Sequence, residues 1–220
     1  MPNSHDKEKK YYEYLAKKIL ETYIPEKYEN LILSDRPDLR MGDKYGIEVT
    51  RAVYPDMTQA SGVFQHIARK NIIQADSRHL LLLDKLGCRV LTNEKRIVFG
   101  YVPYEAIWIN DEALKVAYQK KVKKYEMWPL STTKNDLFIY SPMDNWLEED
   151  LVKGFMDWID KTRKCPFECI IVFEYSYLYT FNVKMKNFST FKLKELSSTE
   201  LEKCYKMAKK YALNEIVTNC

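Results

Sequence analysis

The chain has 220 residues, with 35 Lys and Arg against 31 Asp and Glu and a formal net charge of +4. Hydrophobic residues make up 46% and charged residues 30%, a balance that reads as an ordinary soluble globular protein and fits one domain over residues 1–220. No apolar run approaches the roughly 20 residues of a membrane helix, so no membrane partner is expected.

Residues 1–10 are polar and lack the apolar stretch of a signal peptide, which makes the chain cytoplasmic by default. The five cysteines agree: their number is odd, and no second pair or nearby histidine completes a zinc site around Cys165 and Cys169. They read as reduced structural thiols. Six glycines leave no Gly-rich phosphate loop, and neither a P-loop nor a dinucleotide fingerprint is present.

A first helix is predicted over residues 9–23, where Tyr12, Leu15, Ala16, Ile19, Leu20 and Tyr23 form one apolar stripe that stops before Pro25. Residues 31–40 read as extended, Gly42-Asp43-Lys44 as a turn, and residues 45–53 as the second arm of a hairpin. A helix is predicted from Thr58 into the 70s. Residues 79–86 are either its continuation or a short separate element.

Residues 96–102 read as extended, 111–127 as a lysine-rich helix, and 136–140 as a strand. Residues 145–163 form an amphipathic helix. An apolar strand over 168–175 has a hairpin partner over 177–183. The last helix opens on Ser197-Ser198-Thr199-Glu200, a capping-box pattern, and runs to about Leu213. The order implies an α/β fold, a central mixed sheet flanked by helices, with an elaboration over residues 87–129.

The chemistry concentrates in Arg36-Pro37-Asp38, then nine residues, then Glu48-Val49-Thr50. Strand alternation puts Glu48 and Thr50 on one face and Ile47 and Val49 on the other. If Asp38 points the same way from the neighbouring strand, two carboxylates converge. They are stable together only when one is protonated or a cation lies between them. Oxygen donors of this kind suit Mg²⁺ or Mn²⁺. On the first helix Glu13 falls at the edge of the apolar stripe and can reach that end of the sheet, whereas Glu21 falls on the far side, toward solvent. Read blandly, Asp38 caps a turn, Glu48 faces solvent on an edge strand, and Glu13 is an exposed helix charge.

Pro37-Asp38 followed by Gly46-Ile47-Glu48-Val49-Thr50, behind a helix carrying Glu13-Tyr14-Leu15-Ala16, resembles the core of the PD-(D/E)XK nuclease superfamily. The resemblance covers residues 9–74, about a third of the chain. It implies a restriction-endonuclease-like core and hydrolysis of phosphodiester bonds in DNA. It also implies metal binding by Asp38 and Glu48, with the Val49 carbonyl as a further ligand and Glu13 assisting. Thr50 departs from the pattern, standing where the family places a lysine that activates water. Some members carry this lysine on the following helix, which points to Lys70, with His66, Gln59 and Gln65 as further polar contacts. The absence of the motif lysine also leaves open a second reading: a binding module, for nucleic acid or for protein, that has lost catalysis on the same fold.

Lys115, Lys120, Lys121, Lys123 and Lys124 crowd one predicted helix, interleaved with Tyr118, Tyr125 and Trp128, and form the expected DNA contact. RNA is not excluded. Lys203, Lys206, Lys209 and Lys210 form a second, weaker basic group. Tyr101, Tyr104 and Trp108 read as core or as a partner interface, and 17 tyrosines favour an amphipathic interface such as a homodimer. The lysine-, tyrosine- and asparagine-rich composition suggests an AT-rich bacterial or phage genome.

Overall fold

The structure, a computed structural model, describes residues 4–53, 55–104, 111–127, 131–142, 148–162 and 165–213. Helix α1 (Ser4–Tyr23) leads into a meander of three antiparallel strands: β1 (Ile32–Leu33), β2 (Leu39–Met41) and β3 (Tyr45–Arg51). Then come α2 (Pro55–Gln65), α3 (Ser77–Lys85) and the hairpin of β4 (Cys88–Thr92) and β5 (Val98–Pro103). The chain returns through α4 (Glu112–Met127), β6 (Lys134–Ser141), α5 (Glu149–Lys161) and β7 (Cys169–Glu174). It ends with β8 (Tyr177–Asn182), β9 (Asn187–Lys192) and α6 (Leu193–Ala212).

Seven strands form one mixed sheet in the order β1-β2-β3-β6-β7-β8-β9, with β3, β6 and β7 mutually parallel. The α/β architecture of a central mixed sheet flanked by helices is therefore present. Its layers follow from alternation. Ile47, Val49, Phe138, Ile171 and Phe173 face Leu15, Ile19 and Leu20 of α1 and Leu201 and Ala208 of α6. Leu137, Ile139, Ile170 and Val172 face the other way, against Leu114, Ala117 and Tyr118 of α4 and Phe155 and Ile159 of α5. Both central strands are covered on both faces, which explains the unbroken apolar run of β7. Each large side chain so buried contributes about 1.5–3 kcal/mol.

The piece set apart from the sheet begins earlier than residue 87 and ends before α4. Residues 55–103 hold their own small core, with Ala60, Val63, Ile67, Leu83, Cys88 and Val98 buried together. Helix α4 is instead the crossover that joins β3 to β6, packed beneath the main sheet. The extended stretch 31–40 divides into β1 and β2 around a turn, and β4 and β9 join the strands foreseen. Helix α6 begins earlier than expected, but Ser197 still caps its longer part. Ser197 breaks the helical path with extended backbone (φ −168°, ψ 102°), and its Oγ accepts the Glu200 N–H at 3.3 Å.

At the start of β6, Asp136 is fully buried. Its Oδ2 accepts from the Tyr28 and Tyr45 hydroxyls, each at 2.6 Å, and from Lys27 Nζ at 2.9 Å. Burial, then the neighbouring carboxylate, push both phenols above their usual range, so they remain donors. This knot ties the segment after α1 to the beginnings of β3 and β6.

Cys88, Cys165, Cys169 and Cys204 are free thiols, and burial pushes Cys169 up to about 11. Cys220 lies outside the described residues, as do Trp108, Trp128 and the first residues of the helix expected over 145–163. Among the described residues no helix is long and apolar enough to cross a membrane.

Candidate active site

Strand β3 outruns its neighbour. Strand β2 pairs with it only from Tyr45 to Ile47, while β6 pairs along it to Arg51. Beyond Ile47 the β2 side of β3 is therefore an open edge with backbone groups to satisfy. Asp38, the residue before β2, closes that edge: its Oδ2 accepts the Val49 N–H at 2.7 Å. Since Ile47 and Val49 turn toward α1, Glu48 and Thr50 turn toward α4.

Helix α4 answers with Lys121. Its ammonium donates to Asp38 Oδ2 at 3.1 Å and makes a short contact with Glu48 Oε2. Asp38 and Glu48 are 3% and 4% exposed, so this is a buried ion pair with one cation shared by two carboxylates. From α1, Glu13 enters the same space, with Lys9 Nζ 3.4 Å from its Oε1 and 4.0 Å from Asp38 Oδ1. Burial, then the charge of Asp38, raise the Glu13 carboxyl to about 7, against the opposing pull of Lys9. Asp38, Glu13, Lys9 and Lys121 line an open cleft of about 290 Å³. Thr50, Arg51, Lys120 and Lys124 stand around it, and Thr58 of α2 also lines it.

The structure thus brings together Asp38, Glu48, Glu13, Val49 and Thr50. Glu21 does not face solvent; it accepts from the Leu31 N–H at 3.1 Å and pairs with Lys17 and Lys18. Lys70 is not in the cleft. Helix α2 ends at Gln65, so Lys70 does not stand on the helix expected to carry it to the site. The chain turns to β5 instead, where the Lys70 carbonyl accepts the Val98 N–H at 2.9 Å and the side chain is exposed. His66 stacks on His79 with ring centres 4.8 Å apart, and neither it nor Gln59 nor Gln65 lines the cleft.

The lysine group divides. Lys120, Lys121 and Lys124 line the cleft, Lys123 is exposed outside it, and Lys115 pairs with Asp111 at 2.7 Å beside the Trp158 ring. Neither Thr50 nor Lys70 brings an ammonium to the two carboxylates, whereas Lys121 does. A signal for it existed. Ala117 and Tyr118 are buried, and Lys121 continues their stripe at i+4 and i+3. A lysine on the apolar face of a helix needs a buried anion to meet.

The donor set fits a hard divalent ion. Two carboxylates converge, and the buried Glu48 Oε1 accepts no hydrogen bond. Among the described residues no group of three or more His, Cys, Asp or Glu side chains is arranged to hold a metal. No family model, curated protein or solved structure matches this chain.

Proposed function

We propose that this chain is a metal-dependent nuclease of the PD-(D/E)XK type, hydrolysing phosphodiester bonds in DNA with Mg²⁺ or Mn²⁺. The observation that carries the reading is the meeting of Asp38, Glu48 and Lys121 at the open edge of β3. Asp38 and Glu48 are the residues that would hold the ion, with the Val49 carbonyl added by resemblance. A bound ion of this class polarises the phosphodiester and lowers the pKa of a bound water. Lys121 supplies the ammonium that Thr50 cannot, placed to orient a water and to offset charge developing on the phosphate. Glu13, with its proton half-held near neutrality, accepts or returns a proton at the rim. Arg51, Lys120 and Lys124 hold the flanking phosphates.

The test is cleavage of supercoiled, linear and single-stranded DNA, with RNA alongside, in Mg²⁺ or Mn²⁺. Metal-dependent cleavage that disappears in Glu48→Ala is the expected result. Cleavage without added metal, or undiminished in the variant, would sink the proposal. The second reading, a binding module without catalysis, is favoured by one observation: Lys121 neutralises both carboxylates as a closed structural pair would. DNA binding with no cleavage under any metal would select it.

A further inference from the structure

The ammonium of Lys121 touches one oxygen of each carboxylate, Asp38 Oδ2 and Glu48 Oε2. These are oxygens that a cation shared by the two residues would take. An ammonium and a divalent ion cannot both stand between them. A charge-assisted N–H···O contact spans about 2.7–2.9 Å, and a Mg–O bond about 2.0–2.1 Å. The charges agree with the geometry. Lys121 and Lys9 together balance Asp38 and Glu48, but a divalent ion beside an unmoved Lys121 would put four positive charges against those two carboxylates, or against three with Glu13 ionised.

We infer that Lys121 is a tethered counter-ion that occupies the cation position and competes with the divalent metal for it. The inference rests on the metal-binding reading above and concerns how that site is regulated. The backbone of α4 is fixed by Leu114, Ala117 and Tyr118 in the core, so the tether does not move. The four-carbon stem does, and it carries a compact charge on rotatable bonds. Lys120 and Lys124 line the cleft beside it, so a displaced ammonium swings toward the space where a phosphate would lie. One side chain thus holds the two carboxylates together before the metal enters and is released toward the substrate afterwards. Lys9 lies 4.0 Å from the other oxygen of Asp38 and does not touch Glu48, so it is no substitute in this role.

The test uses the full chain and Mn²⁺ alone, with free ion followed by electron paramagnetic resonance. Lys121→Met is expected to bind Mn²⁺ roughly tenfold tighter than wild type, because the competitor is gone. Lys124→Met removes a positive charge from the same cleft without vacating the cation position, and its affinity is expected to change far less. A second measurement needs no variant: acylation of lysines read by mass spectrometry. Lys121, 11% exposed in its side chain, is expected to label slowly without metal and faster as Mg²⁺ is added. If Mn²⁺ binds wild type, but Lys121→Met binds it equally or more weakly and Lys121 labelling ignores the metal, the competition is overturned while the metal site stands. If Mn²⁺ binds neither wild type nor Lys121→Met, both the competition and the metal-binding reading fall.

Discussion

Gly46 admits three neighbours where any side chain would collide. A Cβ there would stand 2.6 Å from Thr132 Oγ1 and 2.8 Å from Asn135 Oδ1, and would press into the Pro37 ring. Pro37 immediately precedes Asp38, and Gly46 lies two residues before Glu48, so the close approach sets how the two carboxylates stand to each other. Gly46→Ala is expected to cost about 1–3 kcal/mol, as overpacking does. A fall in the denaturant midpoint measures it, and an unchanged midpoint would show that Thr132 and Pro37 yield freely. Asp38, Glu48 and Glu13 were legible because each depends on local rules: alternation along one strand, and angle around one helix. Lys121 was not paired with them because 73 residues separate it from Glu48, and only the crossover brings α4 beneath β3.

At the scale of the element, α4 is buried on one side and basic on the other. Its lysines are not equivalent, and their positions rank them. Lys120→Glu with Lys124→Glu is expected to weaken DNA binding and to reduce the steepness of its salt dependence by about two, one per phosphate contact. Lys123→Glu should do less, and Lys115→Ala almost nothing, since Lys115 already holds Asp111. Affinity measured at several salt concentrations separates these outcomes; equal effects at all four positions would mean that the cleft does not guide the nucleic acid. The lysine richness of this helix was plain in the sequence. Its role as the core crossover was not, because periodicity reveals an apolar face but not what covers it. The misplaced Lys70 has a similar cause: nothing in residues 58–74 marks where α2 stops, and a helix assumed to continue carried the reasoning one turn too far.

For the whole molecule, the site has a cost that depends on pH. In the metal-free protein Glu13 keeps its proton to about 7, against an ordinary value of 4.5, chiefly through burial and then the charge of Asp38. Between those two values the folded chain binds a proton that the unfolded chain has released. Stability is therefore greatest below about 4.5 as far as Glu13 is concerned, falls as pH rises through about 7, and levels off above. Denaturation midpoints across that range should show this decline, and Glu13→Gln should remove it. The same slope in both proteins would exclude Glu13 as its source. The fold class was readable from the order of helices and strands. The division of the chain into sheet and insertion was not, since a local reading shows which faces are apolar but not which of them pack on the sheet and which on each other.

That insertion has a bearing on how the molecule comes together. Closing a chain loop costs entropy that grows with the logarithm of its length, and Lys121 must find Glu48 across the whole insertion. Residues 55–103 do not stay slack across that span. They gather around Ile67, Leu83 and Val98, and the backbones of Arg69, Lys70 and Ile72 bond to β5 and the turn before it. A segment that collapses on itself through near neighbours draws its own ends together. The effective tether between β3 and α4 is then much shorter than the residue count. The insertion, whatever else it contacts, acts as a splint: it brings Lys121 within reach of Glu48, which left the ribosome 73 residues earlier.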